Sequence, residues 1–242
     1  MSEIEVNRHD RVVVFTIKRP NSGNRITQSI AEELIVALDV ARRDPAVAGC
    51  VLTGHGDVFC LGGDYQGAGP RIAGRMEFGR AHIDLIDAMA RLGKPLVAAL
   101  NGNAHAGGFS LVVACDLAFA EEGATLGLPE VAHGLFPLLA LAIVRDALPK
   151  KVLFDIVYNA RLLSAEEARA LHLVNDVVPR GSALRRSIEA VEAASRGNPD
   201  ILAIGRDLYY AMRGLSPAEA LDKARFALGS ALGARDERPP SQ

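Results

Sequence analysis

The stretch Val51-Leu52-Thr53-Gly54-His55-Gly56-Asp57-Val58-Phe59-Cys60-Leu61-Gly62-Gly63-Asp64 passes from an apolar run into a glycine-rich connection. Further along, Pro95-Leu96-Val97-Ala98-Ala99-Leu100 does the same, opening into Asn101-Gly102-Asn103-Ala104-His105-Ala106-Gly107-Gly108. Short apolar runs bounded by turn residues read as buried strands. Each turn then brings backbone without side chains out of a strand, where its N–H groups can face a ligand. The Gly107-Gly108 pair also stands where a helix begins, and a helix's first turn carries unsatisfied N–H donors and partial positive charge. Such a corner suits an oxyanion, although either turn taken alone is more readily an ordinary one chosen for positive φ.

Outward from these turns the pattern is α/β. Val12 to Ile17 is a β-branched run stopped by Arg19-Pro20-Asn21-Ser22-Gly23, and it opens a short β-meander. From Thr27 the period changes to 3.6, with Ile30, Leu34, Leu38 and Ala41 on one face and Glu32 and Glu33 placed in the first turn, predicting a helix to about Arg43. Ala48 to Thr53 predicts a buried strand. Arg71 to Arg91 predicts a helix, with its apolar spacing read through Met76, Ile83, Ile86 and Met89. Phe109 to Ala114 starts a short helix and Cys115 to Ala120 is a third strand. Ser164-Ala165-Glu166-Glu167 and Ser216-Pro217-Ala218-Glu219 both match a capping box, so the last third is mostly helical. The tail Arg235 to Gln242 is rich in charge and proline and predicts fraying.

Composition narrows the function classes. The 242 residues carry 27 Lys plus Arg against 29 Asp plus Glu, a net charge of −2, with the basic residues scattered, which argues against nucleic acid as a partner. The longest apolar runs, such as Leu138 to Val144, are far short of the ~20 residues that cross a bilayer. Met1 to Asp10 contains no apolar targeting core, so a cytoplasmic protein is expected. Cys50, Cys60 and Cys115 are an odd number without C-x-x-C spacing, implying no disulfide framework, no metal site and a role as small buried hydrophobes. No G-x-G-x-x-G opens a helix. Gly69 to Met76 has phosphate-loop glycine spacing, but Arg75 stands where Lys is needed and Met76 where a hydroxyl is needed.

Several separated segments, in order, resemble the enoyl-CoA hydratase/isomerase (crotonase) superfamily from Val12 to Pro179. They are the Val51 to Asp64 stretch, then Lys94-Pro95 with Asn101-Gly102 and Ala106-Gly107-Gly108, and then Cys115-Asp116-Leu117-Ala118. Leu128-Pro129-Glu130 with Gly134-Leu135-Phe136-Pro137 follows, and Ser164 to Ala168 with Leu173-Val174-Asn175 and Val177-Val178-Pro179 closes the set. The resemblance implies a crotonase-like ββα spiral over residues 1–190. It also implies a C-terminal helical trimerisation region over 191–242, and a homotrimer or dimer of trimers. It puts two oxyanion-hole amides at Gly63 and Gly107 around the thioester oxygen of an acyl-CoA, with coenzyme A entering as part of the substrate and no separate cofactor.

Hydratases of that family place one glutamate three residues beyond the second glycine and another in the later Pro-Glu segment. The first position here is Ser110, whose hydroxyl cannot serve as a general base near neutral pH, which weakens hydration; its plainer role is to fill space in a helix. Glu130 matches the second, and one carboxylate suffices to carry a proton from C2 to C4. His105 and His133 lie within reach of an acyl pocket, although a histidine on such a turn is more often a structural hydrogen-bonding group. Asp64 is expected to hold its loop, and Leu61, Tyr65 and Gln66 to border the acyl entrance. Residues 65–75 have the composition of a flap, and Arg19 and Arg25 flank a loop able to meet CoA phosphates. The expectation is an acyl-CoA enzyme of isomerase type. The alternatives are a non-catalytic acyl-CoA binding protein and another enolate reaction, namely decarboxylation, thioester hydrolysis or dehalogenation.

Overall fold

The computed structural model describes residues 2–65 and 72–236, the side chains at 72–75 and 234–236 excepted. Its strands are β1 (Ile4–His9), β2 (Val12–Ile17), β3 (Gly49–Gly54), β4 (Val58–Cys60), β5 (Leu96–Leu100), β6 (Asn103–His105), β7 (Leu117–Glu121), β8 (Thr125–Gly127), β9 (Leu162–Ser164) and β10 (Asp176–Val178). The helices are α1 (Gln28–Arg43), α2 (Ile72–Ala90), α3 (Gly107–Ala114), α4 (Leu138–Val144), α5 (Lys150–Tyr158), α6 (Ala165–Ala170), α7 (Ala183–Ala194), α8 (Pro199–Ala211) and α9 (Pro217–Asp236). The tail beyond 236 and residues 66–71 of the flap expected over 65–75, Gln66 included, lie outside the described residues.

The strands divide between two sheets. The larger has the order β1-β2-β3-β5-β7-β10, and the smaller β4-β6-β8-β9. Apart from β1 and β9, which pair antiparallel, neighbours are parallel. Consecutive strands alternate between sheets: β3 then β4, β5 then β6, β7 then β8. Each turn of the chain thus lays one strand in each layer, and a helix follows each pair (α2, α3 and, after a 3-10 turn, α4), giving the ββα spiral.

Alternation along the large sheet explains its nearly all-apolar strands. Val12, Val14, Val51, Val97, Ala99 and Phe119 face α7, against its buried Ala183, Ala190 and Val191. Their neighbours Val13, Phe15, Ile17, Leu52, Ala98 and Leu100 face the main core with α1, α2 and α3. Burying both faces forces β-branched or small apolar residues at nearly every position. α7 runs through position 190, where the sequence divides core from C-terminal region, because that stretch of helix is itself core packing. Cys50 and Cys60 are buried and Cys115 partly so; burial pushes the Cys50 and Cys60 thiols up to about 12.

Two helix expectations need correction. Thr27 caps α1 by accepting from the Ile30 N–H at 3.1 Å, so Glu32 and Glu33 fall in the second turn rather than the first. On α2 the buried face is Phe78, Ala81, His82, Leu85 and Met89, whereas Met76 and Ile83 are exposed. Reading the face from Met76 and Ile83 rotated the helix away from its core side. Both capping boxes form: Ser164 with Glu167, and Ser216 with Glu219. Among the described residues, no helix is long and apolar enough to cross a membrane.

Candidate active site

The small sheet positions the site. β4, β6 and β8 are parallel neighbours, paired at Cys60 with Ala104 and at His105 with Gly127. Just past their carboxyl ends the chain reaches Gly63, Gly107 and Glu130. The crevice beyond the carboxyl ends of parallel strands is where open α/β sheets gather ligands, because the chain must turn there with exposed polar backbone. Three residues far apart in sequence converge for that reason.

At the first corner Ile26 donates to the Gly62 carbonyl and accepts from the Asp64 N–H, both at 2.8 Å, so the pairing uses the neighbours of Gly63 and leaves its own N–H without a partner among the described residues. At the second, Ala106 donates to the Gly127 carbonyl at 2.8 Å, and the chain then reverses through Ala106 at φ 52°, ψ −122° to start α3 at Gly107. An L-residue there costs on the order of 1–3 kcal/mol, a strain that the tertiary structure must hold. The Gly63 nitrogen lies 3.4 Å from the point a Cβ on Gly107 would occupy, so the two corners nearly touch. Gly108 admits no larger residue, since its Cβ would overlap the Cys60 carbonyl.

Glu130 sits in a 3-10 turn, Pro129–His133, that ends on Gly134 at φ 72°. Among the described residues its Oε2 is buried with no hydrogen-bond partner, and burial raises the carboxyl pKa above the ordinary glutamate value, outweighing the hydrogen bond from the residue's own backbone N–H. A carboxylate deprived of water faster than donors replace it is a poised proton acceptor. Gly63, Gly107, Glu130 and Tyr65 share the wall of a cavity of about 430 Å³, closed on its apolar side by Phe78 and by residues from Leu135 to Ala140. Tyr65 packs against Phe78 with ring centroids 4.9 Å apart, and partial burial and the Glu130 charge raise its phenol pKa. A larger groove of about 1040 Å³ between α1, α2 and α8 has charged walls that include Asp39, Asp84, Arg91 and Arg213, and it is remote from the glycine corners.

The other candidates fall outside this wall. Ser110 is fully buried within α3 and its hydroxyl only approaches the Ala106 carbonyl, at 3.5 Å. His105 bonds through Nε2 to the Thr125 hydroxyl at 2.8 Å, while His133 is exposed at the end of its turn. Asp64 binds Arg19 at 3.0 Å and Arg19 also meets Glu3 at 2.8 Å, so that guanidinium is engaged inside the fold. Arg25 donates to the Leu61 carbonyl at 2.7 Å, and the Leu61 side chain packs beside Gly23. Sequence reasoning passed over His82. It lines the cavity from α2, is 5% exposed, and burial pushes its pKa down to about 4. Its ring lies 3.2 Å from the Cβ position of Gly107. The available signal was its four-residue spacing from Phe78 and its place on the Leu85–Met89 face.

The family model for enoyl-CoA hydratase/isomerase matches residues 7–225. A putative enoyl-CoA hydratase of Thermus thermophilus is 34% identical over 229 residues, covering 93% of this chain and 90% of the relative. The 2,3-dehydroadipyl-CoA hydratase of Escherichia coli is 30% identical, covering 82% of this chain and 78% of that one. Among solved structures, an enoyl-CoA hydratase of Mycobacterium smegmatis superposes with a TM-score of 0.91 at 26% identity, over 96% of this chain and 91% of the other. With the crotonase fold shared across these structures and the match running over nearly the whole sequence, the chain belongs to the enoyl-CoA hydratase/isomerase family.

Proposed function

We propose that this enzyme holds a thioester carbonyl oxygen on the N–H groups of Gly63 and Gly107 and moves protons at the acyl chain with Glu130. The observation that carries the reading is the buried, unpartnered Oε2 of Glu130 in the same cavity wall as those two glycines. Glu130 takes a proton from C2 of a 3-enoyl thioester, and the electron pair moves onto the carbonyl oxygen as a dienolate. The two N–H donors stabilise that charge; each such donor typically contributes ~2.7–4 kcal/mol. The protonated Glu130 then returns the proton at C4, leaving the double bond conjugated. Coenzyme A enters as part of the substrate, and the cavity's apolar side takes the acyl chain.

A proton shift of this kind needs one carboxylate, which is what the cavity wall offers, with Ser110 buried inside α3. Hydration is the second reading, favoured by relatives that carry hydratase names at 30–34% identity. The test uses a 3-enoyl-CoA thioester in heavy water, followed by NMR. Glu130→Gln is expected to bind the thioester normally and to lose both isomerisation and deuterium uptake; turnover that survives the substitution overturns the reading.

We also infer self-association as a trimer or dimer of trimers through the C-terminal helices. α9 exposes Leu221, Leu228 and Leu232 on one face, each to at least 50%, an apolar stripe that a lone chain leaves in water.

A further inference from the structure

Beside the Tyr65 phenol, the described cavity wall carries a buried polar side chain that the proton shift does not use. His82 projects from the middle of α2, is 5% exposed, and lies against Gly107. Buried imidazoles are ordinarily satisfied by the fold. His105 shows that pattern, bonded to Thr125 at 2.8 Å. For His82, burial is the only influence that acts on the ring among the described residues, with no hydrogen bond from side chain or backbone to offset it. A ring desolvated this far stays neutral at physiological pH and so presents one nitrogen that donates and one that accepts. Both roles are what a water molecule requires.

The location is as informative as the chemistry. α2 sets Phe78 over Gly63 and, one turn later, His82 over Gly107. The apolar ring closes one corner to water, and the imidazole gives the other corner a polar contact beside the place where the thioester oxygen is held. Glu130 shares that cavity wall.

We propose that His82 holds the water molecule that adds across a conjugated acyl-CoA double bond in this site, the part left vacant by Ser110. The inference rests on the reading of Gly63, Gly107 and Glu130 given above, and it adds a water-dependent activity to the proton shift. The water oxygen bonds to C3 while the double-bond electron pair moves through C2 onto the thioester oxygen. Glu130 accepts the proton that the water releases and delivers it to C2. His82 ends the cycle neutral, so atoms and charge balance with a single carboxylate.

The experiment compares wild type with His82→Phe and His82→Gln on two thioesters. A 2-enoyl-CoA in water enriched in oxygen-18 reports hydration by mass spectrometry, and a 3-enoyl-CoA reports isomerisation, which consumes no water. His82→Phe is expected to lower hydration roughly a hundredfold. Isomerisation should fall much less, so that the ratio of hydration to isomerisation drops at least about tenfold. His82→Gln, which keeps a donor and an acceptor, is expected to recover part of the hydration. If the phenylalanine variant fails to fold, the ratio of hydration to isomerisation in His82→Gln decides, and it must fall below the wild-type ratio. Unchanged hydration, an equal loss of both reactions, or a wild type that incorporates no heavy oxygen overturns the proposal. Failure of the underlying reading looks different, because Glu130→Gln would then still isomerise.

Discussion

The Cζ atom of Phe78 lies 2.7 Å from the point where a Cβ on Gly63 would stand. Gly63 is kept small by this ring rather than by its own backbone, which has no positive φ. Gly63→Ala should therefore push the ring or the corner aside and move the N–H offered to the thioester oxygen. A loss of one donor's worth of stabilisation, roughly a hundredfold in kcat, is expected. Adding Phe78→Leu should return part of it, and steady-state kinetics of the single and double variants checks this.

Glu130 is costly to the fold in its charged form. Its pKa is raised in the folded state by burial, so the destabilisation is absent below the ordinary glutamate range and fully present above the raised value. Glu130→Gln is expected to melt higher than wild type at pH 7 and equally at pH 4, read by calorimetry. The isomerisation rate of the wild type should rise with pH through a midpoint above 4.5, since the base works ionised.

His82 titrates in the opposite sense. Burial holds its folded pKa at about 4, below the ordinary histidine value of 6.5, so the unfolded chain binds a proton first as pH falls. Stability should be complete above pH 6.5 and drop by on the order of 3 kcal/mol towards pH 4. His82→Phe removes this slope in denaturant titrations across that window.

Asp64 reads as a clamp on the first corner rather than a substrate ligand. Its carboxylate and the Arg19 guanidinium are 20% and 18% exposed and 3.0 Å apart. Asp64→Asn should cost about 1–3 kcal/mol in denaturant unfolding. Turnover at saturating thioester should stay within about twofold of wild type.

The C-terminal face offers a separate test. Leu228 is 60% exposed on α9. Leu228→Asp is expected to shift the sedimentation profile from an oligomer to the single chain. The secondary structure, read by circular dichroism, should be unchanged.

The large sheet was legible in the sequence because both its faces are buried, and β2, β3 and β5 therefore appear as unbroken apolar runs. The small sheet was not: β4, β6, β8 and β9 are three residues each, below the length at which alternation can be recognised. Gly63, Gly107 and Glu130, which the structure brings to one cavity wall, were singled out through the ordered motifs of the family resemblance. His82 escaped because a lone histidine inside an amphipathic helix resembles a surface residue until the helix is rotated correctly. With Phe78, Ala81, Leu85 and Met89 recognised as the inward stripe, its position becomes plain. His105 and His133 attracted attention by proximity in the chain, and what separates them from the cavity is the direction of a short strand and a turn.

The register of three tiny parallel strands has an evolutionary corollary. Because each corner belongs to a different lap of the chain, the wall from Leu135 to Ala140 is a separate segment from Gly63 and Gly107, which hang from β4 and β6 and are pinned by Ile26 and Gly127. On the proposed reading, pocket shape and charge stabilisation are thus inherited on separate segments, and a lineage can exchange one substrate for another while the thioester oxygen stays anchored.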